Sequence, residues 1–214
     1  MTAVAHDVPH GLEHATATGL DSRKLAIWTF IGSECMFFAT LISTYIVYKG
    51  QSLRGPYPHE TWTDPATGKV MEHVFSIPLV TFGTAVLLFS SFFVVLALNG
   101  LQRGKQKQFI GWLSATVVCG LFFIGMQVFE FTHFVTEKGL GFTTNLFGSS
   151  FYTLTGFHGT HVTLGVLWLA TLLYLGIRGK MGPEKALNLE IAALYWHFVD
   201  VVWIVIFPVV YLMK

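Results

Sequence analysis

The chain has 214 residues, of which 53% are hydrophobic and only 12% are charged, and its formal net charge is +1. A soluble domain usually carries about twice this fraction of charged residues, so the composition excludes an ordinary soluble enzyme and indicates a protein that crosses a membrane several times. The net charge close to zero gives no reason to expect nucleic acid as a partner.

The first 23 residues precede every apolar segment and are predicted to form an N-terminal tail. They contain His6, His10 and His14 and lack the basic and then apolar pattern of a signal peptide. Separated histidines can bind a metal. Histidines in a chain terminus are more often solvated, so we expect no metal site in the tail.

Five apolar segments follow the tail, each long enough to cross a hydrocarbon core about 30 Å thick. They predict an all-α fold, a polytopic transmembrane bundle of five helices within residues 24–214. The connection 49–74 is the only long one, and its Gly and Pro residues are typical of a turn-rich loop. The predicted spans are residues 24–48, 75–98, 109–135, 146–176 and 189–213.

The Lys and Arg residues of the connections predict the orientation of the bundle. Alternate connections place eight of them on the side of the N-terminus and five on the other side. Cytoplasmic loops carry the excess of basic residues in membrane proteins. The sequence therefore predicts a cytoplasmic N-terminus and a C-terminus on the outside.

A carboxyl group, that of Glu34, lies inside the first predicted span. At the rise of an α-helix it is about 15 Å from the charged entry at Lys24, close to the membrane centre. An ionised acid in hydrocarbon costs roughly 2.5 kcal/mol or more, so Glu34 should be protonated, paired or turned toward protein or water. His158 and His161 lie at similar depth on the fourth span. We predict that Glu34 and His161 form a hydrogen-bonded pair, with side chains within about 4 Å.

Further polar residues occur on the third and fifth spans. Gln127 and Glu130 share a helix face with His133, near the outer boundary, where a solvated helix end is one interpretation. His197 and Asp200 are three residues apart and can bond to each other or across to another helix. We expect one set to converge in the bundle interior, namely Glu34, His158, His161, His197 and Asp200.

Three interpretations of these polar residues remain open from the sequence. The Glu130-x-x-His133 step resembles the step of di-iron bundles, but those bundles need further carboxylates at the same depth. A proton or ion path would need polar residues from one membrane face to the other. The residues alone favour the third interpretation, in which buried polar groups fix helix register, hold lipid or join a larger partner.

Four stretches of the sequence resemble the cytochrome c oxidase subunit III family of the haem–copper respiratory oxidases, in its short, five-helix bacterial form. They lie on four of the five predicted spans and occur in the family's order, while the second span carries no motif. The stretches are residues 28–38 with the core Ser-Glu-x-Met-Phe-Phe, the Gln-x-x-Glu-Phe pattern at 127–131, Gly-Phe-His-Gly-x-His-Val at 156–162, and Tyr-Trp-His-Phe-Val-Asp-Val-Val-Trp at 195–203.

The resemblance implies an accessory, non-catalytic subunit of a proton-pumping terminal oxidase, which reduces oxygen to water in aerobic respiration at the bacterial plasma membrane. It implies that haem and copper belong to partner subunits, including catalytic subunit I. No catalytic residue and no metal ligand is therefore expected in this chain. Glu34 matches the intramembrane carboxyl of the family, which reacts with hydrophobic carbodiimides.

The resemblance also implies that the subunit stabilises the catalytic subunit, supports proton uptake and binds phospholipids. Candidate lipid-binding residues at the cytoplasmic rim are Arg23, Trp28 and Trp196. The electron donor stays open between cytochrome c and a quinol. A related subunit of a nitric oxide reductase and a free-standing transporter are the alternatives. The polar residues that would serve packing or proton supply are Glu34, Gln127, Glu130, His158, His161, His197 and Asp200.

Overall fold

The computed structural model describes residues 21–52, 55, 62–63, 70–71 and 77–213. Within these ranges five helices are long and apolar enough to cross a membrane, which confirms the predicted all-α bundle. The tail histidines and most of the first connection lie outside the described residues. The long helices are α1 (Ser22–Tyr48), α2 (Ile77–Gln102), α3 (Gln106–Thr136), α4 (Leu146–Ile177) and α5 (Ala186–Phe207).

The helices extend beyond the apolar runs that predict them, most clearly between the second and third spans. The α2 helix continues to Gln102 and α3 begins at Gln106, because backbone hydrogen bonding continues into the polar flanks. The turn between them contains Gly104, whose φ of 68° lies in the left-handed region that favours glycine. A 3₁₀ turn, Pro183–Lys185, precedes α5, and a π-helical turn, Pro208–Leu212, follows it.

The first connection contains a short pair of antiparallel strands, β1 (Trp62–Thr63) and β2 (Val70–Met71). Trp62 lies opposite Met71 in this pair, and Thr63 lies opposite Val70. The pair has two residues in each strand. Such a short pair of strands does not change the architecture of the described chain, which is a helical bundle.

Side chains cap two of the transmembrane helices at their N-termini. An oxygen of Asp21 accepts a hydrogen bond of 2.8 Å from the backbone N–H of Arg23 at the start of α1. Asn145 accepts one of 2.7 Å from the N–H of Gly148 at the start of α4. Both bonds satisfy backbone donors that the first turn of a helix leaves without an intrahelical partner.

The α5 helix occupies the centre of the bundle and packs against α1, α2 and α4. Its largest residue in the middle of the membrane is Trp196, which is fully buried. A Cβ added at Gly165 would lie 2.9 Å from the indole of Trp196, and one at Gly120 would lie 2.8 Å from it. Two glycines, on α3 and α4, therefore make the space that this indole fills.

Candidate functional site

The predicted pair between α1 and α4 is present. The Nε2 atom of His161 lies 3.2 Å from the Oε2 atom of Glu34, which confirms the predicted distance. The side chains are 13% and 20% exposed, respectively, so the pair lies near the lipid-facing surface rather than in the deep core. It joins the outermost helix of the bundle to α4.

The contact of the second ring nitrogen of His161 determines which atom of the pair donates the shared hydrogen bond. Its Nδ1 atom lies 2.8 Å from the backbone oxygen of Phe157, and a carbonyl oxygen only accepts, so Nδ1 carries a hydrogen. In a neutral imidazole Nε2 is then an acceptor, and the hydrogen between the two residues comes from a protonated Glu34. In an imidazolium Nε2 donates to a carboxylate. Both arrangements have one shared hydrogen and no net charge, which lowers the cost of burying the pair.

Aromatic rings surround the imidazole of His161. The ring of Phe38 meets it edge to face at a centroid distance of 5.0 Å. The ring of Tyr195 stacks at 6.5 Å, and its hydroxyl donates a hydrogen bond of 3.1 Å to the backbone oxygen of His161. The imidazole is thus held by α1 and α5 in one orientation, with its Nε2 edge toward Glu34.

A second polar cluster joins α2 to α5, with a buried carboxyl and with a hydroxyl and an imidazole that are half-buried. The hydroxyl oxygen of Ser91 lies 2.9 Å from Nδ1 of His197, and the same hydroxyl donates a hydrogen bond to Asp200. The carboxyl of Asp200 is buried, with 2% exposure. His197 and Asp200 are therefore connected through a residue of another helix rather than directly.

Two further hydrogen bonds connect the same pair of helices. The indole N–H of Trp196 donates to the hydroxyl of Ser90 at 3.0 Å, and that of Trp203 donates to Thr84 at 2.9 Å. The sequence indicates the α5 residues but not their partners on α2. One signal could have found two of them, since Thr84 and Ser91 are seven residues apart and share a helix face.

The imidazoles and carboxyls that we expect to converge in the bundle interior form separate contacts rather than one site. His158 is fully buried and lies apart from both clusters, with Nε2 at 3.3 Å from the backbone oxygen of Val199 and its ring stacked on Trp203 at 4.7 Å. His158 and His161 are three residues apart, so they point in directions about 60° different around α4. One therefore faces α5 and the other faces α1.

The polar residues of α3 were interpreted as a possible solvated helix end, but two of them are buried. Glu130 is 3% exposed, and its Oε2 atom accepts a hydrogen bond of 2.9 Å from the hydroxyl of Tyr211. The π-helical turn places Tyr211 over this carboxyl, so the interpretation as a hydrated helix end is wrong for Glu130. Gln127 is also buried and donates to the backbone oxygen of Thr155 at 3.0 Å. The Nδ1 atom of His133 instead lies 3.3 Å from the Oε2 atom of Glu137.

Comparison with known proteins connects this geometry to one family. The family model of cytochrome c oxidase subunit III matches residues 7–214 of the chain. The chain belongs to this family.

Individual relatives of subunit III include proteins named for different electron donors. Cytochrome c oxidase subunit 3 of Bacillus sp. (strain PS3) is 38% identical over 200 residues, which cover 94% of this chain and 89% of the relative. Quinol oxidase subunit 3 of Bacillus subtilis (strain 168) is 38% identical over 202 residues, 94% of this chain and 92% of the relative. Cytochrome bo(3) ubiquinol oxidase subunit 3 of Pseudomonas aeruginosa is 37% identical over 212 residues, 99% and 94% of the two chains. Relatives of both donor classes are thus similar to this chain at nearly the same identity.

The three candidate lipid-binding residues of this subunit III chain occupy different surroundings. Trp28 is 58% exposed on α1, and Arg23 is exposed with its guanidinium 3.5 Å from the side-chain oxygen of Asn188. Trp196 is fully buried in mid-bundle, so its assignment to the rim is wrong. The amphipathic chemistry of Trp predicts a boundary position, but here the glycine-lined space inside the bundle accepts the ring.

Residue types that can ligate a metal occur on several helices of this subunit III chain. Within the ranges that the structure describes, no three or more His, Cys, Asp or Glu side chains are grouped so that they could hold a metal ion. Cys35 and Cys119 are both free thiols. The Glu130-x-x-His133 step does not form a ligand pair, because Glu130 points to Tyr211 and His133 points to Glu137.

Proposed function

We propose that this chain is the accessory subunit III of a proton-pumping haem–copper terminal oxidase in the bacterial plasma membrane. It associates with catalytic subunit I and other oxidase subunits, which carry the haem and copper centres. It contributes no catalytic residue and no metal ligand. The observation that carries the proposal is the family match over residues 7–214.

The internal contacts of the family motifs support a stabilising role. The motif of α5 supplies Trp196 to the interior, where the indole fills the space beside Gly165. The motifs of α1 and α4 meet at Glu34 and His161. These residues fix how the helices pack, so the chain offers a preformed surface that adds rigidity to a catalytic subunit.

Glu34 is the residue that we assign to proton supply. Its pair with His161 holds one shared hydrogen, is partly exposed and lies at membrane depth. The hydrogen of such a pair can pass between the carboxyl and the imidazole without changing the net charge of the pair at membrane depth. Most of the remaining polar residues that we group with it are more deeply buried, and they serve mainly to hold the helices together.

The orientation and the lipid contacts are part of the same proposal. The N-terminus faces the cytoplasm and the C-terminus the outside, as the distribution of basic residues favours. Phospholipid binds against the exposed surface of α1, with Trp28 at the level of the headgroups. Gentle extraction should therefore retain phospholipid, and a complex without lipid would contradict this part.

A pull-down from the native membrane tests the oxidase assignment. We expect the affinity-tagged chain to co-purify with a large haem-containing subunit and to give a visible spectrum with haem bands. A colourless single chain would overturn the assignment and favour a free-standing transporter. A haem complex that reduces nitric oxide and not oxygen would favour the related reductase.

A quinol oxidase is the second candidate, because two of the relatives carry that name at the same level of identity. The two candidates differ in the electron donor and share the role of this subunit. Oxygen consumption by the purified complex, measured with reduced cytochrome c and separately with a quinol, distinguishes them. The donor that supports turnover identifies the class.

A further inference from the structure

A groove lies between α3 and α4 and opens at the surface of the bundle, where Thr160 and Thr163 are exposed. It has a volume of about 300 Å³. The α4 helix lines it with small residues in two steps of four residues, Gly156 with Thr160 and Gly159 with Thr163. Residues four apart share a helix face, and small residues on such a face let the backbone of another helix come close. The shape of the groove therefore suits a helix.

The side-chain amide of Gln127 forms part of the groove lining, although the residue is only 6% exposed. Its Nε2 atom donates a hydrogen bond of 3.0 Å to the backbone oxygen of Thr155. Because a carbonyl oxygen only accepts, this contact fixes which end of the amide is the nitrogen. The other end, Oε1, lies beside α4, where a Cβ added at Gly159 would be 3.0 Å from it. The missing side chain of Gly159 thus makes the space for this oxygen at the groove.

The Oε1 atom of Gln127 has no hydrogen-bond donor among the residues that the structure describes. The hydroxyls of the groove donate elsewhere, that of Thr160 to the oxygen of Gly156 at 2.9 Å and that of Thr163 to the oxygen of Gly159 at 2.8 Å. Gln127 is about 9 Å along the helix axis from the midpoint of α3, inside the hydrocarbon core. An acceptor without a donor is costly at that depth, which favours a donor from outside the described chain.

The glycine at one end of the groove, Gly156, is open to the outside. A Cβ added at Gly156 would meet no atom of the described chain within 4 Å, whereas one at Gly165 on the same helix would meet the buried indole of Trp196. A larger side chain at position 156 would therefore fill the groove without disturbing the packing of this chain. Gly156 separates the role of the groove from the stability of the bundle.

We propose that the groove between α3 and α4 is the docking site of a transmembrane helix from another subunit of the complex. This helix presents a hydrogen-bond donor, a hydroxyl or an amide N–H, to Oε1 of Gln127. A lipid acyl chain could fill the groove but has no donor for this oxygen, and headgroups lie at the membrane boundary rather than at this depth. The inference rests on the proposed function, which supplies the other subunits, and it assigns one of them to this surface.

Photocross-linking in the native membrane, followed by purification of the complex, tests the inference. An amino acid with an aliphatic diazirine replaces Leu164, whose exposed side chain lines the groove. The matched control position is Leu121 on α3, which lies outside the groove lining and is 55% exposed, compared with 54% for Leu164. Peptide mass spectrometry identifies the segment or small molecule that each position labels.

We expect the diazirine at position 164 to label an apolar segment of another subunit of the complex, and the diazirine at position 121 to label mainly lipid. Gly156→Leu should lower the yield of the subunit cross-link about tenfold, because its side chain occupies the groove. Gly111→Leu is the matched control, since Gly111 is also an exposed helical glycine with no atom within 4 Å of an added Cβ. It should leave the yield unchanged, and thermal unfolding of both variants verifies their folding.

Two results from an intact haem-containing complex would overturn the inference and leave the proposed function standing. The first is labelling at position 164 of lipid or a quinol and of no protein segment. The second is a subunit cross-link whose yield is the same in wild type and Gly156→Leu. A wild-type chain that purifies without any other subunit would instead overturn the proposed function, and this inference with it.

Discussion

The bundle contains two acid–imidazole arrangements whose surroundings differ. Glu34 and His161 bond directly, lie near the surface and connect α1 to α4. His197 and Asp200 are connected through the hydroxyl of Ser91, and the carboxyl of this group is buried between α2 and α5. An acid and an imidazole thus form one contact whose carboxyl is partly exposed and one contact whose carboxyl is buried by packing.

The comparison teaches that depth in the membrane and burial in the protein are separate variables. Both carboxyls lie within transmembrane helices, but α1 is the peripheral helix and α5 the central one. Among the described helices, α1 packs against α4 and α5, whereas α5 also packs against α2. The Glu34–His161 pair on α1 and α4 is therefore accessible to protons and reagents from its surroundings. The α2–α5 contacts are suited to hold the bundle together.

Truncation of Trp196 should give the largest effect. Trp196→Ala removes the side chain that fills the space beside Gly120 and Gly165, and core Trp or Phe truncations cost about 3–5 kcal/mol in water-soluble proteins. We expect about 3 kcal/mol here, measured by reversible unfolding of the purified chain in detergent. The control Trp28→Ala changes an exposed ring and should cost less than about 1 kcal/mol. Equal losses in both variants would contradict the central role of α5.

Removal of the Ser91 hydroxyl should give the next largest effect. Ser91→Ala leaves both the buried carboxyl of Asp200 and Nδ1 of His197 without their shared partner, and an unsatisfied buried polar group costs about 1–3 kcal/mol. The same unfolding assay measures the loss. Ser114→Ala is the matched control, because the Ser114 hydroxyl bonds to the backbone oxygen of Ile110 in its own helix. A loss no larger than that of the control would show that Ser91 does not hold the α2–α5 contact.

The direct pair should contribute less to stability than the Ser91 cluster. A double-mutant cycle with Glu34→Ala and His161→Ala should give a coupling of about 0.6 kcal/mol, the average for hydrogen bonds between transmembrane helices. We expect this small coupling because the Glu34–His161 pair is partly exposed and makes one hydrogen bond. A coupling above about 2 kcal/mol would place this pair, and not the α2–α5 contacts, among the main supports of the bundle.

Carbodiimide labelling compares the two carboxyls chemically rather than energetically. A hydrophobic carbodiimide should modify Glu34 in the native complex, and Glu34→Gln should abolish the labelling, as peptide mass spectrometry can determine. Asp200 and Glu130 should stay unlabelled because both are buried, with exposures of 2% and 3%. Labelling of Asp200 in the folded complex would remove the distinction between an open and a sealed site.

The sequence predicted one contact of the candidate site and missed most of the others. Glu34 and His161 could be paired because depth and chemistry matched between two helices. Ser91, Ser90 and Thr84 were missed, because a hydroxyl residue in an apolar helix commonly bonds to its own backbone and gives no sign of a partner. The burial of Glu130 was missed as well, since the π-helical turn that brings Tyr211 over it lies inside the last apolar run, where the sequence predicts a continuous α-helix.

The sequence by itself determined the five spans, the membrane depth of each polar residue and the family. It could do so because a helix in lipid satisfies its own backbone hydrogen bonds, so span number and depth depend only on the order of apolar and polar residues along the chain. The tertiary structure alone decided which neighbour each polar side chain meets. That depends on how far each helix is rotated and where small residues let helices approach, as Gly120 and Gly165 do around Trp196.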